Sequence, residues 1–209
     1  IIAALSSGKM GNVGINKAEA LIPRLGSNEE RLLIKGDAQG DIAEVLAVLQ
    51  QSPLATRIAP LTKATTVQGA TKLDVDLSIP LWDGQELKAD GNVNLTNAQL
   101  IVKQLDLKVD KINGQLKFNK DGIYSDVIKG VALGNPIQVD IDQGDNQSLI
   151  NVDGNTSVSA IYNLFGWSES KIAEGESAYN LQLRIPSSQV DDPVTVTVKS
   201  DLEGLSLQL

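Results

Sequence analysis

Gly69-Ala-Thr-Lys-Leu-Asp-Val-Asp-Leu-Ser-Ile-Pro80 alternates aliphatic and polar residues at every step from Leu73 to Ile79. A two-residue period puts Leu73, Val75, Leu77 and Ile79 on one face of a strand, and Asp74, Asp76 and Ser78 on the other. The closing Pro80 has no N–H to give to a ladder, so the strand ends there. The same alternation returns in Leu105-Asp-Leu107-Lys-Val109, Leu116-Lys-Phe118, Ile137-Gln-Val139-Asp-Ile141, Leu181-Gln-Leu183-Arg-Ile185, Val194-Thr-Val196-Thr-Val198 and Leu205-Ser-Leu207-Gln-Leu209. Turn signals separate these runs: Asp83-Gly84, Asp90-Gly91, Asn113-Gly114, Asp121-Gly122, Gly134-Asn135-Pro136 and Asp192-Pro193. Strands joined by short turns predict a mainly β protein built on an antiparallel sheet with one apolar face.

Two segments leave this period. Ile42, Val45, Leu46 and Leu49 stand at i, i+3, i+4 and i+7, one side of an amphipathic helix. Asp41 occupies the N-cap position with Glu44 at box spacing, and Ser52-Pro53 closes the run. Val158, Ile161, Tyr162 and Phe165 repeat the spacing, with Ser157 as the cap and Gly166 at C′.

The Gly69–Pro80 stretch has a counterpart in Gly175-Glu-Ser-Ala-Tyr-Asn-Leu-Gln-Leu-Arg-Ile-Pro186, of equal length, in the same phase and ending in the same Ile-Pro. The order strand, helix, Gly-to-Pro strand, further strands therefore occurs twice, which marks an internal repeat. The expected organisation is N-terminal strands over residues 1–35 continuing from a longer upstream region, a first helix-plus-β unit over 36–142, and a second, truncated one over 143–209 packed on the same sheet. The chain starts at Ile1 rather than Met and is expected to be a piece of something longer.

Composition removes much chemistry. Among 209 residues there is no Cys and no His, so disulfides, zinc fingers, haem and every His-based catalytic group are excluded. With 18 Lys plus Arg against 26 Asp plus Glu the formal charge is −8, the wrong sign for a nucleic-acid footprint. No apolar run approaches the ~20 residues of a membrane-spanning helix. Ser6 to Lys9 and Ser168 to Lys171 have the spacing by which a lysine activates a serine, but their companion motifs are missing. Asp74 with Asp76 and Asp140 with Asp142 lie two apart, on the polar side of alternating strands where solvated charge belongs; Asp191 and Asp192 are adjacent. None forms a calcium loop. No metal or cofactor is expected, and an enzyme acting on envelope polymers rests on these carboxylates alone.

The aliphatic faces remain. They form either a sealed core, in a structural β-module without ligand, or a face left open to hold apolar chains. Few aromatic residues (3%) are present to fill a sealed core.

Lys35-Gly-Asp-Ala-Gln-Gly-Asp41 running into Ile42–Leu49, then Gln51-Ser-Pro-Leu54 and the Gly69–Pro80 strand, resembles the AsmA-like proteins of Gram-negative bacteria, and among them the YhdP type. Leu95-Thr-Asn-Ala-Gln-Leu100, Ile112-Asn-Gly-Gln-Leu-Lys-Phe118, Ala132-Leu-Gly-Asn-Pro136 and Ser200-Asp-Leu-Glu-Gly-Leu205 match recurring phrases of that family, over most of the chain from about Leu32. The resemblance implies a periplasmic segment of a long protein held by an inner-membrane anchor. It implies a curved, folded-over β-groove with two short helices, similar to that of the related TamB proteins. Phospholipid acyl chains would slide along it between inner and outer membrane, supporting the outer-membrane barrier. Its partners would be those acyl chains, the rest of the same chain and other envelope proteins, with no catalytic residue. On this reading the groove is lined by Leu73, Val75, Leu77, Ile79, Leu105, Leu107, Val109, Ile137, Val139, Ile141, Leu181, Leu183 and Ile185.

Overall fold

In the computed structural model the Gly69–Pro80 run is the greater part of a 16-residue strand, β5 (Thr65–Pro80). Residues 1–209 are described apart from 24–25, 27–29, 52–54, 56–61, 83, 120–121, 145–146, 169–172, 187–194 and 208–209. Ser52-Pro53, Asp83, Asp121, Lys171, Asp191, Asp192, Pro193, Val194 and Leu209 thus lie outside the described residues. Ahead of β5 come β1 (Ile2–Leu5), β2 (Gly8–Met10), β3 (Val13–Leu21), β4 (Arg31–Asp41) and helix α1 (Ile42–Leu49). After it come β6 (Lys88–Val102), β7 (Leu107–Asn119), β8 (Gly122–Ala132), β9 (Asn135–Gly144) and β10 (Gln147–Ser157). Helix α2 (Val158–Phe165), β11 (Ala173–Pro186), β12 (Thr195–Lys199) and β13 (Leu205–Leu207) complete the order. Residues 62–64 add a third short helical piece before β5. None of the described helices is long and apolar enough to cross a membrane.

The strands make one antiparallel sheet in the order β1-β3-β4-β5-β6-β7-β8-β9-β10-β11-β12, with β2 on β3 and β13 on β11. It is open: β1 and β12 are edges, so it is not closed into a barrel. This is the mainly β antiparallel architecture that the alternation predicts. β8 and β10 also touch across the intervening β9, so the sheet bends most tightly there. Ile137 and Ile141 on β9 are buried although neither belongs to the cluster under α1.

Both helices cap as their residues dictate. The Ala43 amide donates to Asp41 Oδ1 at 2.8 Å, and the Ala160 amide to Ser157 Oγ at 3.1 Å. Gly166 takes the left-handed conformation at φ 64° and ends α2 with Trp167 N donating to Tyr162 O at 2.9 Å. Glu44 does not close a box with the cap; its Oε1 accepts from Asn12 Nδ2 at 3.1 Å. Because β4 and β10 run in the same direction, α1 and α2 stand at the same end of the sheet. The repeat partners Gly69 and Gly175 share a special backbone, φ +120° and +112°.

Helix α1 lies on the apolar face. Val45 packs with Val13 and Leu73, and Ala38, Val48, Leu49, Val75, Val93 and Phe118 surround them. Helix α2 packs in turn against β10 and β11, and no large side chain among the described residues is fully buried. The chain exposes 13248 Å², against about 9,400 Å² for a compact monomer of its mass. The excess is what an open, largely single-layer sheet produces.

One expected strand residue is misplaced. Leu105 lies in the turn before β7 and is 42% exposed, because Lys103 to Asp106 make the β6–β7 connection and Asp106 adopts φ 50°. Pairing begins only at Leu107.

Candidate functional site

Directly opposed residues of an antiparallel sheet share a face, so the register reports what lies beside Leu73. It faces Ala38 on one side, which faces Ile15, which faces Gly8. On the other side it faces Val93, then Leu116, Ser125, Ile141, Ile150, Leu183 and Val196 in turn. One row therefore crosses eleven strands, and every member but Ser125 is apolar or glycine. At roughly 4.8 Å per strand step its ten steps span about 48 Å. Neighbouring rows behave alike: Ile128, Val139, Val152, Leu181 and Val198 face one another in succession, and so do Ile34, Leu77 and Ala89.

Two of the hydroxyls that interrupt this face are tied to backbone. Ser125 Oγ accepts from the Ile141 amide at 3.1 Å, and Thr71 Oγ1 donates to Asn94 O at 3.0 Å. Bonded hydroxyls present mainly their carbon to the surface, so they break an apolar wall less than free ones. Thr156 Oγ1 is buried without a partner among the described residues. Tyr179, whose ring lies over Gly154, is pushed above the usual phenol range by burial.

Polar cross-strand pairs occupy the opposite face. Gln182 Nε2 donates to Asn151 Oδ1 at 3.0 Å and Asn151 Nδ2 to Asp140 Oδ2 at 2.9 Å, three strands linked in one ladder. Lys35 Nζ meets Asp76 Oδ2 at 2.7 Å, and this bond with its charge raises the lysine pKa. Such exposed pairs contribute little stability.

A cleft of about 630 Å³ lies where β5, β6 and β7 bulge, lined by Asp41, Gln68, Gly69, Asn97, Gln99 and Asp110 among others. It brings two carboxylates together, but both are occupied structurally. Asp41 holds the α1 cap with Oδ1 and the Gly69 amide with Oδ2 at 2.9 Å. Asp110 accepts from Gln99 Nε2 at 2.6 Å and pairs with Lys108, which together keep its carboxyl below the usual range. A general acid needs the opposite shift. Among the described residues no group of three or more His, Cys, Asp or Glu is placed to hold a metal ion.

Every residue expected on the face except Leu105 lies on it by register: Leu73, Val75, Leu77, Ile79, Leu107, Val109, Ile137, Val139, Ile141, Leu181, Leu183 and Ile185. The helix sides differ more. Of the α1 set, Val45 and Leu49 pack on the sheet with Val48, which the spacing did not select, while Ile42 and Leu46 are half-buried. On α2, Val158, Ile161 and Tyr162 are half-buried, and Phe165 is exposed, stacked on Trp167 with ring centroids 4.9 Å apart. Leu116, which the alternation placed on a strand face, also belongs to it, as do Ala38, Val93, Ile150 and Val152, which the alternation did not mark. Adjacent Leu149-Ile150 hides the period of β10, since Leu149 faces Asp142 and Arg184 on the wet side.

A family model described as YhdP protein matches residues 3–209. The chain is similar to the intermembrane phospholipid transporter YhdP of Escherichia coli (strain K12), 26% identical over 150 residues. That match takes in 70% of this chain and 12% of the relative's length. No solved structure matches.

Proposed function

The chain belongs to the YhdP family, and from that premise we propose that it is a segment of a phospholipid carrier whose acyl-chain path is the apolar face of this sheet. The observation that carries the reading is the row from Gly8 to Val196, which crosses eleven strands, is apolar or glycine at every position but Ser125, and has no fully buried large side chain among the described residues. Its span of roughly 48 Å is about three times the ~15 Å that one leaflet's hydrocarbon occupies. Each methylene kept out of water contributes about 0.8 kcal/mol, so an acyl chain of some fifteen methylenes crossing water bare faces roughly 12 kcal/mol. A continuous aliphatic wall lowers that barrier along the whole path, and no reacting group takes part.

In this reading the segment lies in the periplasm, in a protein anchored in the inner membrane, and carries phospholipid between inner and outer membrane in support of the outer-membrane barrier. The two helix-bearing units over residues 36–142 and 143–209, set on the strands of 1–35, each supply part of one groove. Wet ladders such as Gln182–Asn151–Asp140 form its outside. A sealed scaffold draws no support from a sheet with so little fully enclosed side-chain volume.

The test is photo-crosslinking in the full-length protein in cells. Benzophenone side chains at Leu77, Ile79, Leu183 and Ile185 should capture phospholipid identified by mass spectrometry, whereas those at Asp74, Asp76, Gln182 and Arg184 should not. Equal capture on both faces would sink the proposal.

A further inference from the structure

We propose that helix α1 is a fixed wall across the apolar face, diverting acyl chains away from Leu73 towards Leu77 and Ile79; this rests on the lipid-path reading above. Ala38, Leu73 and Val93 are consecutive members of the long row, and all three belong to the cluster beneath α1. Val13, Val45 and Leu73 are only 4%, 5% and 6% exposed, so side chains of the protein already fill the space over the row there. Protein interiors pack without room for a further chain. An acyl chain therefore cannot follow the row straight through β4, β5 and β6.

Four residues further along β5 the situation changes. Leu77 faces Ile34 and Ala89, Ile79 faces Leu32, and neither Leu77 nor Ile79 belongs to the α1 cluster. They share Leu73's face, displaced along the strand by about 13 Å for Leu77 and about 20 Å for Ile79. On the other side of the bend Ile150 and Leu183 continue the Leu73 row and are also outside the cluster. A chain lying on those strands has to step sideways to pass β4–β6, and α1 sets where it steps. The helix is pinned in place, because Asp41 accepts both the Ala43 amide of α1 and the Gly69 amide of β5. Lifting α1 would return Val13, Val45 and Leu73 to water together.

The experiment places benzophenone side chains one at a time at Leu73, Leu77, Ile79 and Leu183 of the full-length protein in cells and reads captured phospholipid. Capture at Leu77, Ile79 and Leu183 with loss at Leu73 is the expected result. Capture at Leu73 as strong as at Leu77, with Leu183 also labelled, overturns the wall and leaves the lipid path standing. No capture at any of the four overturns the lipid path and the wall with it. Because a benzophenone at position 73 can itself prise α1 away, a second arm uses the absence of cysteine in this segment. Val45→Cys combined with Leu73→Cys allows the helix to be locked by oxidation while Leu77 carries the crosslinker. Capture at Leu77 unchanged by oxidation supports a fixed wall, and loss of capture on oxidation, reversed by reductant, overturns it in favour of a helix that must lift.

Discussion

Phe118 on β7 stands directly opposite Gly91 on β6, and its ring fills the place where a side chain at 91 would begin: a Cβ there would lie 2.6 Å from Phe118 Cζ. Glycine gives up strand propensity at this point so that the Phe118 ring can pack against Leu73 and the cluster under α1. Gly91→Ala should therefore destabilise the fold by about 2 kcal/mol through overpacking. Phe118→Ala should cost about 3 kcal/mol through the cavity it leaves. In the double variant the two losses should not add, because the first clash disappears with the ring. Rescue should stay partial, since the new Cβ also meets Asp74 O. Urea denaturation of the four proteins measures the coupling, and strict additivity would contradict it.

Asp41 serves two elements with one carboxylate, capping α1 and holding Gly69 of β5 opposite the β6 bulge. Asp41→Ala is expected to cost about 2 kcal/mol, the upper range for a cap. Asp41→Ser restores only the cap and should recover about half of that. A full recovery by Ser would mean that the Gly69 bond contributes nothing.

Asp110 gives a pH signature with a definite sign. The Gln99 amide donating to it, with Lys108 beside it, lowers its pKa from 3.8. Its stabilising contribution is thus fully present above the unfolded value and is lost as pH falls through the lower folded value. Carboxyl-carbon NMR titration should find Asp110 ionising below pH 3.8, and Gln99→Ala should move it upward. A titration midpoint that Gln99→Ala leaves in place would remove the hydrogen bond as its main cause.

Charge on the apolar face should separate function from fold. Leu183 is only half-buried and opposes Ile150 and Val196, so Leu183→Asp leaves the carboxylate access to water and is expected to spare most of the stability. An ion in the path of a hydrocarbon chain opposes its passage, so phospholipid capture at Ile185 should fall strongly. Gln182→Asp, one residue away on the wet face, should leave capture unchanged. Equal effects of the two substitutions would mean that the faces are not distinguished.

A Gly-to-Pro alternation, two capped i, i+3, i+4, i+7 runs and an absence of Cys and His were enough to specify strands, helices and a one-faced antiparallel sheet. Each of these follows from a local rule, because a side chain's face along a strand or helix depends only on neighbouring backbone angles. Even the bulges leave a local trace: apolar positions change parity across Thr96-Asn97 in β6 and Asp110-Lys111 in β7, where Asn97 and Lys111 take φ 48° and 52°. What the sequence did not decide by itself was alignment across the sheet. That Leu73 and Leu183 fall in one row depends on summing every bulge and pairing between them, and a slip of one residue in any strand would turn its aliphatics outward. The tertiary structure also decided that Leu105 belongs to a turn and that α1 settles over Ala38, Leu73 and Val93, since both depend on which distant residues compete for the same space.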